Sequence, residues 1–458
     1  MKHKTTIQGQ EDFIYALELH RKGRLDKAEK CYRKILKRSP NHTEALHFFG
    51  VLLHQSGKSN EGLKLIRRAL ELKPDYIDAH NNLGNVLKEL KLFEQAEMTY
   101  RIVISLNPDF PDAHNNLGVA LKSQRRFHEA IKCYQQAIEL NPYFADAWNN
   151  LGNAYSKADM NDEAISAYRQ AILLSPQSGY SYEHLGRILY VVGRTQEAID
   201  VYHEWHKQDP NNPIAEHMIA ACTGLLTPKR ASDAYVQKVF DGYADEFDES
   251  LKQLEYRAPQ FVSDAAKKWL GTEQPVFSIL DAGCGTGLCA QHFKPFAARL
   301  VGVDLSPGMI AKAKKLNLYD DLIVTELTEY LSRRNNEYNL IVSADTLCYF
   351  GALEDVINAA YRSLSDNGYL IFTLENALEN AIEGYKINPH GRYSHNEPYV
   401  RSVLENAGFS IVEISHETLR KESGKLVAGL VVVAQSRLKS ESGSDQAKTK
   451  PGSESKSL

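Results

Sequence analysis

A spacing of 34 residues constrains the first half of this 458-residue chain more than any other feature of its sequence. Four residue types keep this period almost without gaps. The series run from Pro40 to Pro210, from Gly50 to Gly186, from Ala28 to Ala198 with Gly62 filling one position, and from Tyr32 to Tyr202. A fixed period of this length predicts a solenoid, because one unit cannot bury its own apolar face and must stack on its neighbours.

Each unit has the pattern of a helix pair. Within 111–144, apolar residues recur at helical spacing in two runs. The small residues let paired helices approach closely, the tyrosine fills the gap between units, and the proline stops the second helix. These motifs resemble the tetratricopeptide repeat family over 9–212, giving six units, with Ala16 in place of glycine in the first. A further helix over 213–226 is expected to cap the stack.

In that family the first helix of each pair lines a concave groove. Here this helix carries Asn82, Asn116 and Asn150, which keep the repeat period. An amide side chain both donates and accepts, so the three could bind the main chain of an extended peptide. The pattern is similar to the asparagine ladder of tetratricopeptide glycosyltransferases, and it predicts a protein or peptide partner. The alternative is that these asparagines are common repeat residues with solvated side chains.

The second half changes to short apolar runs that alternate with helical patterns. The runs are 276–280, 300–303, 322–324, 340–342, 369–374, 409–414 and 426–434. This alternation predicts a mainly parallel sheet with helices on both faces. The core is expected over 276–435, after a linker and lid helices over 227–275. A tail over 436–458 has almost no apolar residues and is expected to be disordered.

A glycine loop follows the first of these runs, and it contains Asp281, Gly283, Gly285 and Gly287. Three glycines after a strand permit a tight turn and the close approach of a nucleotide-like cofactor. Asp281 suits a positively charged amino-acid moiety, and Asp304, after the next run, can accept hydrogen bonds from both ribose hydroxyls. The spacing is GxGxG, and no P-loop lysine follows. Taken by itself, the loop could also be an accidental turn or belong to an oxidoreductase.

Together these residues resemble the class I S-adenosylmethionine-dependent methyltransferases, from about residue 235 to 435. The resemblance implies a multidomain protein in which the all-α solenoid precedes an α/β Rossmann-like domain. It implies a seven-stranded, mainly parallel sheet with an antiparallel last strand, and S-adenosyl-L-methionine as the cofactor. The cofactor contacts it implies are Asp281, Gly283, Gly285, Gly287, Asp304, Leu305, Met309, Leu327 and Asp345.

Two of these positions have specific expected roles, and one position departs from the family. Met309 would pack against the adenine, and Asp345 would lie in the loop beneath the reactive methyl group. Many family members have an aspartate after the third strand that pairs with the adenine amino group. This chain has Glu326 there, so Glu326 or a backbone group must substitute.

Two further segments carry candidate site residues. An aromatic and acidic helical segment before the first strand is similar to those that cover the cofactor in many small-molecule methyltransferases. Tyr243 and Arg257 are therefore predicted to close over the methionine end, unless this segment is only a linker helix. After the fifth strand, His395 is a candidate general base and Arg392 could hold an acidic acceptor. The alternative for His395 is a helix cap near Glu397.

Composition narrows the class of partner. A net charge of -4 argues against a mainly electrostatic nucleic-acid binder. The six cysteines form no CxxC pair, so no metal site is predicted and a reducing, cytoplasmic compartment is expected. The longest apolar stretch, 426–434, is too short to span a membrane.

Three functions are compatible with these patterns. The first is a methyltransferase whose repeats recruit a protein or peptide, possibly the substrate. The second is a small-molecule methyltransferase whose repeats serve localisation or scaffolding. The third is a non-enzymatic scaffold with a vestigial cofactor fold, which the intact glycine loop and Asp304 disfavour. The sequence identifies neither the methyl acceptor nor the oligomeric state.

Overall fold

The computed structural model describes residues 2–224, 227–270, 277–377, 384–422 and 425–437. It divides into two compact units, Met1–Val201 and Tyr202–Leu458. Residues from 438 onward in the predicted tail, and Val276 of the first predicted strand, lie outside the described residues. None of the helices in the described ranges is long and apolar enough to cross a bilayer.

Six consecutive helix pairs follow the repeat period, and the predicted all-α tetratricopeptide solenoid is confirmed. The pairs are α1 (Lys2–Arg21) and α2 (Leu25–Arg38), α3 (Thr43–Gln55) and α4 (Ser59–Leu72), α5 (Ile77–Glu89) and α6 (Phe93–Leu106), α7 (Pro111–Ser123) and α8 (Phe127–Leu140), α9 (Ala145–Lys157) and α10 (Asn161–Leu174), and α11 (Gly179–Val191) and α12 (Thr195–Gln208). The periodic prolines stand two residues beyond a helix, as Pro108 does after α6, because proline and the residue before it both disfavour helical continuation.

The periodic glycine and tyrosine pack against each other within one repeat. A Cβ atom on Gly118 of α7 would lie 2.6 Å from Cε1 of Tyr134 on α8. Gly84 is as close to Tyr100, at 2.5 Å. The tyrosine therefore fills the space between the two helices of its own pair, rather than only the space between units that the sequence pattern suggested. Any larger residue than glycine would force the helices apart.

The tyrosine hydroxyls differ in their partners, and the sequence explains why. The Tyr100 hydroxyl donates to Asn85 Oδ1 at 2.8 Å. In the fourth pair, Val119 stands where Asn85 stands in the third. The Tyr134 hydroxyl is consequently buried without a hydrogen-bond partner among the described residues.

We expect Tyr100→Phe and Tyr134→Phe to affect stability in different ways. Removing the Tyr100 hydroxyl breaks a buried hydrogen bond and should lower the unfolding free energy by about 1 kcal/mol. Removing the Tyr134 hydroxyl takes away an unsatisfied polar group and should leave stability unchanged or raise it. Urea unfolding followed by circular dichroism compares the two variants. Equal losses in both would contradict this account of the hydroxyls.

Within its described residues, the second unit contains a nine-stranded sheet with helices on both faces. Its strands are β1 (Phe277–Ala282), β2 (Ala297–Asp304), β3 (Asp321–Val324), β4 (Tyr338–Ser343), β5 (Leu364–Asn376), β6 (Tyr385–Ile387), β7 (Tyr393–His395), β8 (Phe409–Glu422) and β9 (Lys425–Ser436). Its helices are α13 (Pro213–Thr223), α14 (Asp233–Tyr243), α15 (Phe247–Gln253), α16 (Ala258–Leu270), α17 (Ala290–Phe293), α18 (Pro307–Lys314), α19 (Leu327–Ser332), α20 (Glu354–Ser363) and α21 (Glu397–Ala407).

The strand order confirms the predicted α/β class. β3, β2, β1, β4 and β5 run parallel side by side, β9 pairs antiparallel with β5, and β8 pairs antiparallel with β9. These are the seven predicted strands. The two additional strands, β6 and β7, form a short hairpin that joins the end of β5 through β7. The central strands are buried on both faces, which explains their continuous apolar runs.

Two apolar cores hold the helices on the sheet. On one face, Leu331 of α19, Ile357 of α20 and Leu404 of α21 belong to one buried cluster. On the other, Val262 of α16 and Phe293 of α17 belong to a second. Helix α17 begins only at Ala290, because residues 285–289 continue the glycine turn.

Helix α13, predicted as a cap for the repeats, packs on residues of the second unit. The ring of His217 stacks on Tyr235 of α14 with 3.8 Å between centroids. Ala221 shares a small apolar cluster with Ile387 and Tyr393 of the β6–β7 hairpin. This helix is therefore fixed to the sheet domain by both aromatic and apolar contacts.

Candidate functional site

The carboxyl ends of β1, β2, β4 and β5 lie along one edge of the sheet, where ligands bind in open α/β folds. The glycine loop leaves β1 at this edge. Gly283, Gly285 and Gly287 all have positive φ angles, of 78°, 54° and 95°. Such angles strongly favour glycine. The sequence prediction of a tight turn after the first strand is thus matched by the backbone.

The three glycines differ in what surrounds them. A Cβ on Gly283 would lie 2.0 Å from Thr346 Oγ1, and one on Gly287 would lie 2.7 Å from Leu316 Cδ1. A Cβ on Gly285 would meet only a Phe247 carbon, at 3.9 Å. The backbone at Gly285 therefore borders open space, whereas its neighbours are packed against protein. A ligand can approach the loop at this residue.

Asp304 is fixed beside the loop by backbone donors. Its Oδ2 accepts from Gly285 N at 2.9 Å, and its Oδ1 accepts from Ser306 N at 2.8 Å. Burial raises the pKa of Asp304, while these N–H groups act in the opposite direction. A carboxylate has about four acceptor sites, so Asp304 can still accept from a ligand hydroxyl beside these backbone donors. Leu305 continues the turn between these contacts and α18.

Asp281 lies deeper at the end of β1 and is almost fully buried. Its Oδ2 accepts from the hydroxyl of Tyr319 at 2.6 Å. Burial raises the pKa of Asp281 to about 7, and the Tyr319 hydrogen bond offsets part of this effect. Sequence reasoning missed Tyr319, since the residue follows α18 in a stretch with no motif.

Two predicted adenine contacts lie on the turns after β2 and β3. Met309 of α18 is buried, and its N–H donates to Ser306 Oγ at 3.1 Å. Glu326 caps α19, because its Oε2 accepts from Glu329 N at 2.7 Å. The other oxygen, Oε1, is buried without a partner among the described residues. The position that departs from the family pattern thus offers an available acceptor, next to the buried Leu327.

Two carboxylates attach the lid helices to these turns. Asp241 of α14 accepts from Ser306 Oγ and, at 2.9 Å, from Gly308 N. Asp248 of α15 accepts from Thr286 Oγ1 of the glycine loop at 2.5 Å. Helices α14 and α15 therefore cover the glycine loop and the Asp304 turn. Both aspartates belong to the acidic pattern of this segment, from which the sequence analysis had selected Tyr243 and Arg257 instead.

The predicted lid residues Tyr243 and Arg257 are placed differently from each other. Tyr243 is 39% exposed and packs edge-on against Phe247, which borders Gly285. The guanidinium of Arg257 lies 4.6 Å from the centre of the Phe261 ring, and the side chain is exposed. Its neighbour Tyr256 faces the site instead: burial, and then the charge of Asp345, raise the pKa of Tyr256.

A buried charge cluster lies at the carboxyl ends of β4 and β5. Arg420 of β8 is 3% exposed; it donates to Asp345 Oδ2 at 2.6 Å and to Glu422 Oε1 at 2.8 Å, and it also contacts Glu375. Arg392 donates to Glu375 Oε1 at 2.6 Å and also contacts Glu422. Asp345 has a φ of 55°, which is uncommon for a residue other than glycine. Three carboxylates thus share two guanidinium groups.

This cluster changes the interpretation of Arg392. Arg392, a candidate for holding an acidic acceptor, is already paired with two carboxylates of the protein. Arg420, near the end of β8, reaches Asp345 and so connects this strand to the loop after β4. The sequence contained one sign of this cluster that the sequence analysis did not use: Glu375 is a lone acid at the end of the apolar run of β5.

His395 is fully buried at the end of β7. Its Nε2 lies 2.9 Å from the Gly351 carbonyl, so Nε2 carries the proton. Its Nδ1 has no partner among the described residues, and burial lowers the pKa of His395 to about 4. The ring is neutral, and it stacks on Tyr399 with 6.0 Å between centroids. The helix cap belongs to Asn396, whose Oδ1 accepts from Tyr399 N at 2.9 Å.

The periodic asparagines of the first unit bond to the preceding repeat. Nδ2 of Asn82 is 2.8 Å from His47 Nε2, and Nδ2 of Asn150 donates to Asn115 Oδ1 at 3.0 Å. Asn116 instead accepts from Lys88 Nζ at 3.0 Å. The amides are therefore partly used to connect successive first helices, and the remaining amide atoms stay available to a partner.

The comparisons with known proteins agree with a division of the chain into a repeat region and an α/β domain. A family model described as a methyltransferase domain matches residues 250–414. Models described as tetratricopeptide repeat match 16–77, 77–110, 111–144 and 145–178.

Curated relatives resemble only part of the chain. A malonyl-[acyl-carrier protein] O-methyltransferase of Priestia megaterium is 32% identical over 39% of this chain and 65% of its own length. One of Yersinia pestis is 23% identical over 33% of this chain and 54% of its own length. The chain thus spans about half to two thirds of these relatives. A crystal structure of MamA is 26% identical, covers 36% of this chain and 96% of MamA, and has a TM-score of 0.34. From the family models and the fold, this chain consists of tetratricopeptide repeats followed by a methyltransferase domain.

Proposed function

We propose that this protein is an S-adenosylmethionine-dependent methyltransferase whose repeats recruit a protein or peptide that is, or carries, the methyl acceptor. One observation carries the cofactor assignment. The Asp304 carboxylate is fixed by backbone N–H groups of Gly285 and Ser306, directly beside open space at Gly285. This arrangement suits a ribose whose two hydroxyls need acceptors.

The neighbouring residues fit the other parts of this cofactor. Asp281 is suited to its ammonium group, and the unpartnered Oε1 of Glu326 is suited to its adenine amino group. Met309 supplies an apolar contact for the adenine. When bound, the cofactor supplies a methyl group that is open to in-line displacement. The protein contributes orientation and exclusion of water through α14 and α15, and Arg420 holds Asp345 in the loop after β4.

The names of the relatives suggest how the two units could act together. Both curated relatives reported above are named for an acceptor on an acyl-carrier protein. An acceptor carried on a protein gives a protein-binding repeat array and a catalytic domain a shared purpose. A small-molecule methyltransferase with repeats used only for localisation is the second candidate, and a non-enzymatic scaffold is the third.

Cofactor binding tests the proposal directly. We expect the full chain to bind S-adenosylhomocysteine in calorimetry, and Asp304→Asn to weaken binding about tenfold, because a charge-assisted hydrogen bond to the ribose is lost. Asp321→Asn is the matched control, since Asp321 is an exposed carboxylate that pairs with Arg299 on the same sheet. Absence of heat from the wild type with either S-adenosylmethionine or S-adenosylhomocysteine would leave only the scaffold.

The pKa of Asp281 predicts how binding varies with pH. Because its pKa in the free protein is about 7, the carboxyl is largely protonated at lower pH and cannot pair with an ammonium group. Affinity for S-adenosylhomocysteine should therefore rise about tenfold between about pH 6 and pH 8. In Asp281→Asn the affinity should be lower and nearly independent of pH over this interval. A wild-type affinity that falls as pH rises would contradict the role of Asp281.

The groove is tested by removing its periodic amides together. We expect the triple variant Asn82→Ala, Asn116→Ala and Asn150→Ala to lose at least about fivefold of the methyl label transferred from cofactor to lysate proteins. Its affinity for S-adenosylhomocysteine should be unchanged. The control is Asn107→Ala with Asn141→Ala, two asparagines at the ends of second helices.

The products then separate the hypotheses. Unchanged protein labelling in the triple variant would exclude a role for these amides. A labelled small molecule as the sole product of every variant would exclude protein methylation and favour localisation by the repeats.

A further inference from the structure

Helix α13 makes a specific contact with the turn that leads into the charge cluster. His217 Nε2 lies 2.8 Å from the Gly391 carbonyl, and both groups are buried. A carbonyl oxygen can only accept, so Nε2 carries the proton. Burial lowers the pKa of His217, which keeps the ring neutral. The contact is therefore a buried neutral hydrogen bond between residues separated by 174 positions.

The turn at Gly391 fits tightly against two rings, those of His217 on α13 and Tyr235 on α14. Gly391 has a φ of 88°, and a Cβ there would lie 2.4 Å from the Tyr235 hydroxyl oxygen. The same Cβ would lie 3.5 Å from the His217 ring. His217 and Tyr235 are themselves stacked. Position 391 is thus held by a hydrogen bond on its carbonyl and by contact around its Cα.

The turn passes this constraint to Arg392. Gly391 N donates to Asn388 O at 2.7 Å, and Asn388 N donates to Arg392 O at 2.8 Å. Because these bonds close the turn, the position of the Gly391 carbonyl also fixes the backbone of Arg392. The Arg392 guanidinium then bonds Glu375 and Glu422, which are the two acids that it shares with Arg420.

The last step reaches the loop after β4. Arg420 divides its guanidinium among Glu375, Glu422 and Asp345. If Arg392 moves away, Arg420 is the one guanidinium left to Glu375 and Glu422 in this cluster, and their demand competes with its hydrogen bond to Asp345. A continuous set of hydrogen bonds and ion pairs thus extends from α13 to Asp345.

We propose that His217 is a positioning residue of the methyltransferase site. It holds the turn 388–392 so that Arg392 and Arg420 keep Asp345 in place beside the bound cofactor and acceptor. The inference rests on the proposed function for its effect on methyl transfer, but its structural step does not. Helix α13 is then part of the catalytic machinery, although its sequence reads as the end of a repeat array.

The test uses the full chain and two substitutions of the same residue. His217→Leu keeps an apolar side chain of similar size but removes the donor. His217→Gln retains an N–H group at the reach of Nε2. Met218→Leu, at the next buried position of α13, is the matched control for general perturbation of the helix.

Three readouts separate positioning from a general loss of structure. In His217→Leu we expect amide hydrogen exchange in 388–395 to rise about tenfold, and methyl transfer to lysate acceptors to fall at least about fivefold. Affinity for S-adenosylhomocysteine should change less than about twofold, because the glycine loop and Asp304 lie outside this set of contacts and because this product lacks the methyl group beneath which Asp345 is expected to lie. His217→Gln should restore both exchange and transfer.

Other results would contradict the positioning role of His217. Wild-type exchange and transfer in His217→Leu would overturn the proposal. Equal losses in His217→Leu and His217→Gln would assign His217 a packing role only. If the wild type itself binds no S-adenosylhomocysteine, the proposed function fails, while the exchange measurement still decides whether His217 holds the turn.

A second route reaches the same turn if His217→Leu does not fold. Gly391→Ala should raise exchange in 388–395 and lower methyl transfer, because the new Cβ meets the Tyr235 hydroxyl. Adding Tyr235→Phe removes that oxygen, so the double variant should recover part of the wild-type exchange protection and part of the methyl transfer. Tyr235→Phe alone is the control. No effect of Gly391→Ala would contradict a role for the turn.

Discussion

The geometry of the site depends on one carboxylate that accepts backbone hydrogen bonds from two different loops. Asp304 bonds to Gly285 and to Ser306 at once, so the glycine loop and the turn after β2 are joined as one surface. Hydrogen bonds to an ionised acceptor are stronger than neutral ones. The lid uses the same chemistry, since Asp241 and Asp248 attach α14 and α15 to these loops. Carboxylates thus position both the loops that border the site and the helices α14 and α15 that cover it.

The opposite side of the site is organised by buried arginines. Desolvating Arg392 and Arg420 is costly, and the shared carboxylates offset that cost only while the whole cluster is intact. Loss of one member would leave a buried charge without compensation, at a cost of about 3–5 kcal/mol in comparable proteins. Such a cluster has few alternative arrangements, which suits a loop that must keep Asp345 at a strained φ of 55°.

Local patterns in the sequence predicted most of the fold. The proline, glycine and tyrosine series established six helix pairs, and the apolar runs located all seven main strands, because buried parallel strands are apolar on both faces. The glycine loop and Asp304 were predictable for the same reason: their roles depend on residues within one strand–turn unit.

The features that the sequence did not predict depend on contacts between distant parts of the chain. Arg420 reaches Asp345 across 75 residues, and Tyr319 reaches Asp281 across 38. No local pattern encodes such pairs. Protonation states were equally inaccessible, because burial decides them, and no local pattern shows that the ring of the candidate base His395 is fully enclosed. Arg257 and Tyr256 are adjacent in sequence, yet only the fold decides which of them faces the charge cluster.

The unpaired hydroxyl of Tyr134 has a consequence for how the solenoid comes apart. Stability in a repeat array is approximately a sum of terms for each unit and each neighbouring interface. A unit with an unsatisfied buried group contributes less to that sum. The fourth helix pair, where Val119 replaces the asparagine, therefore lacks a stabilising hydrogen bond that the third and fifth pairs have, from Tyr100 to Asn85 and from Tyr168 to Asn153. On heating, the missing bond makes this pair open more readily than either neighbour, so the term that it adds to the stability of the array is smaller than theirs.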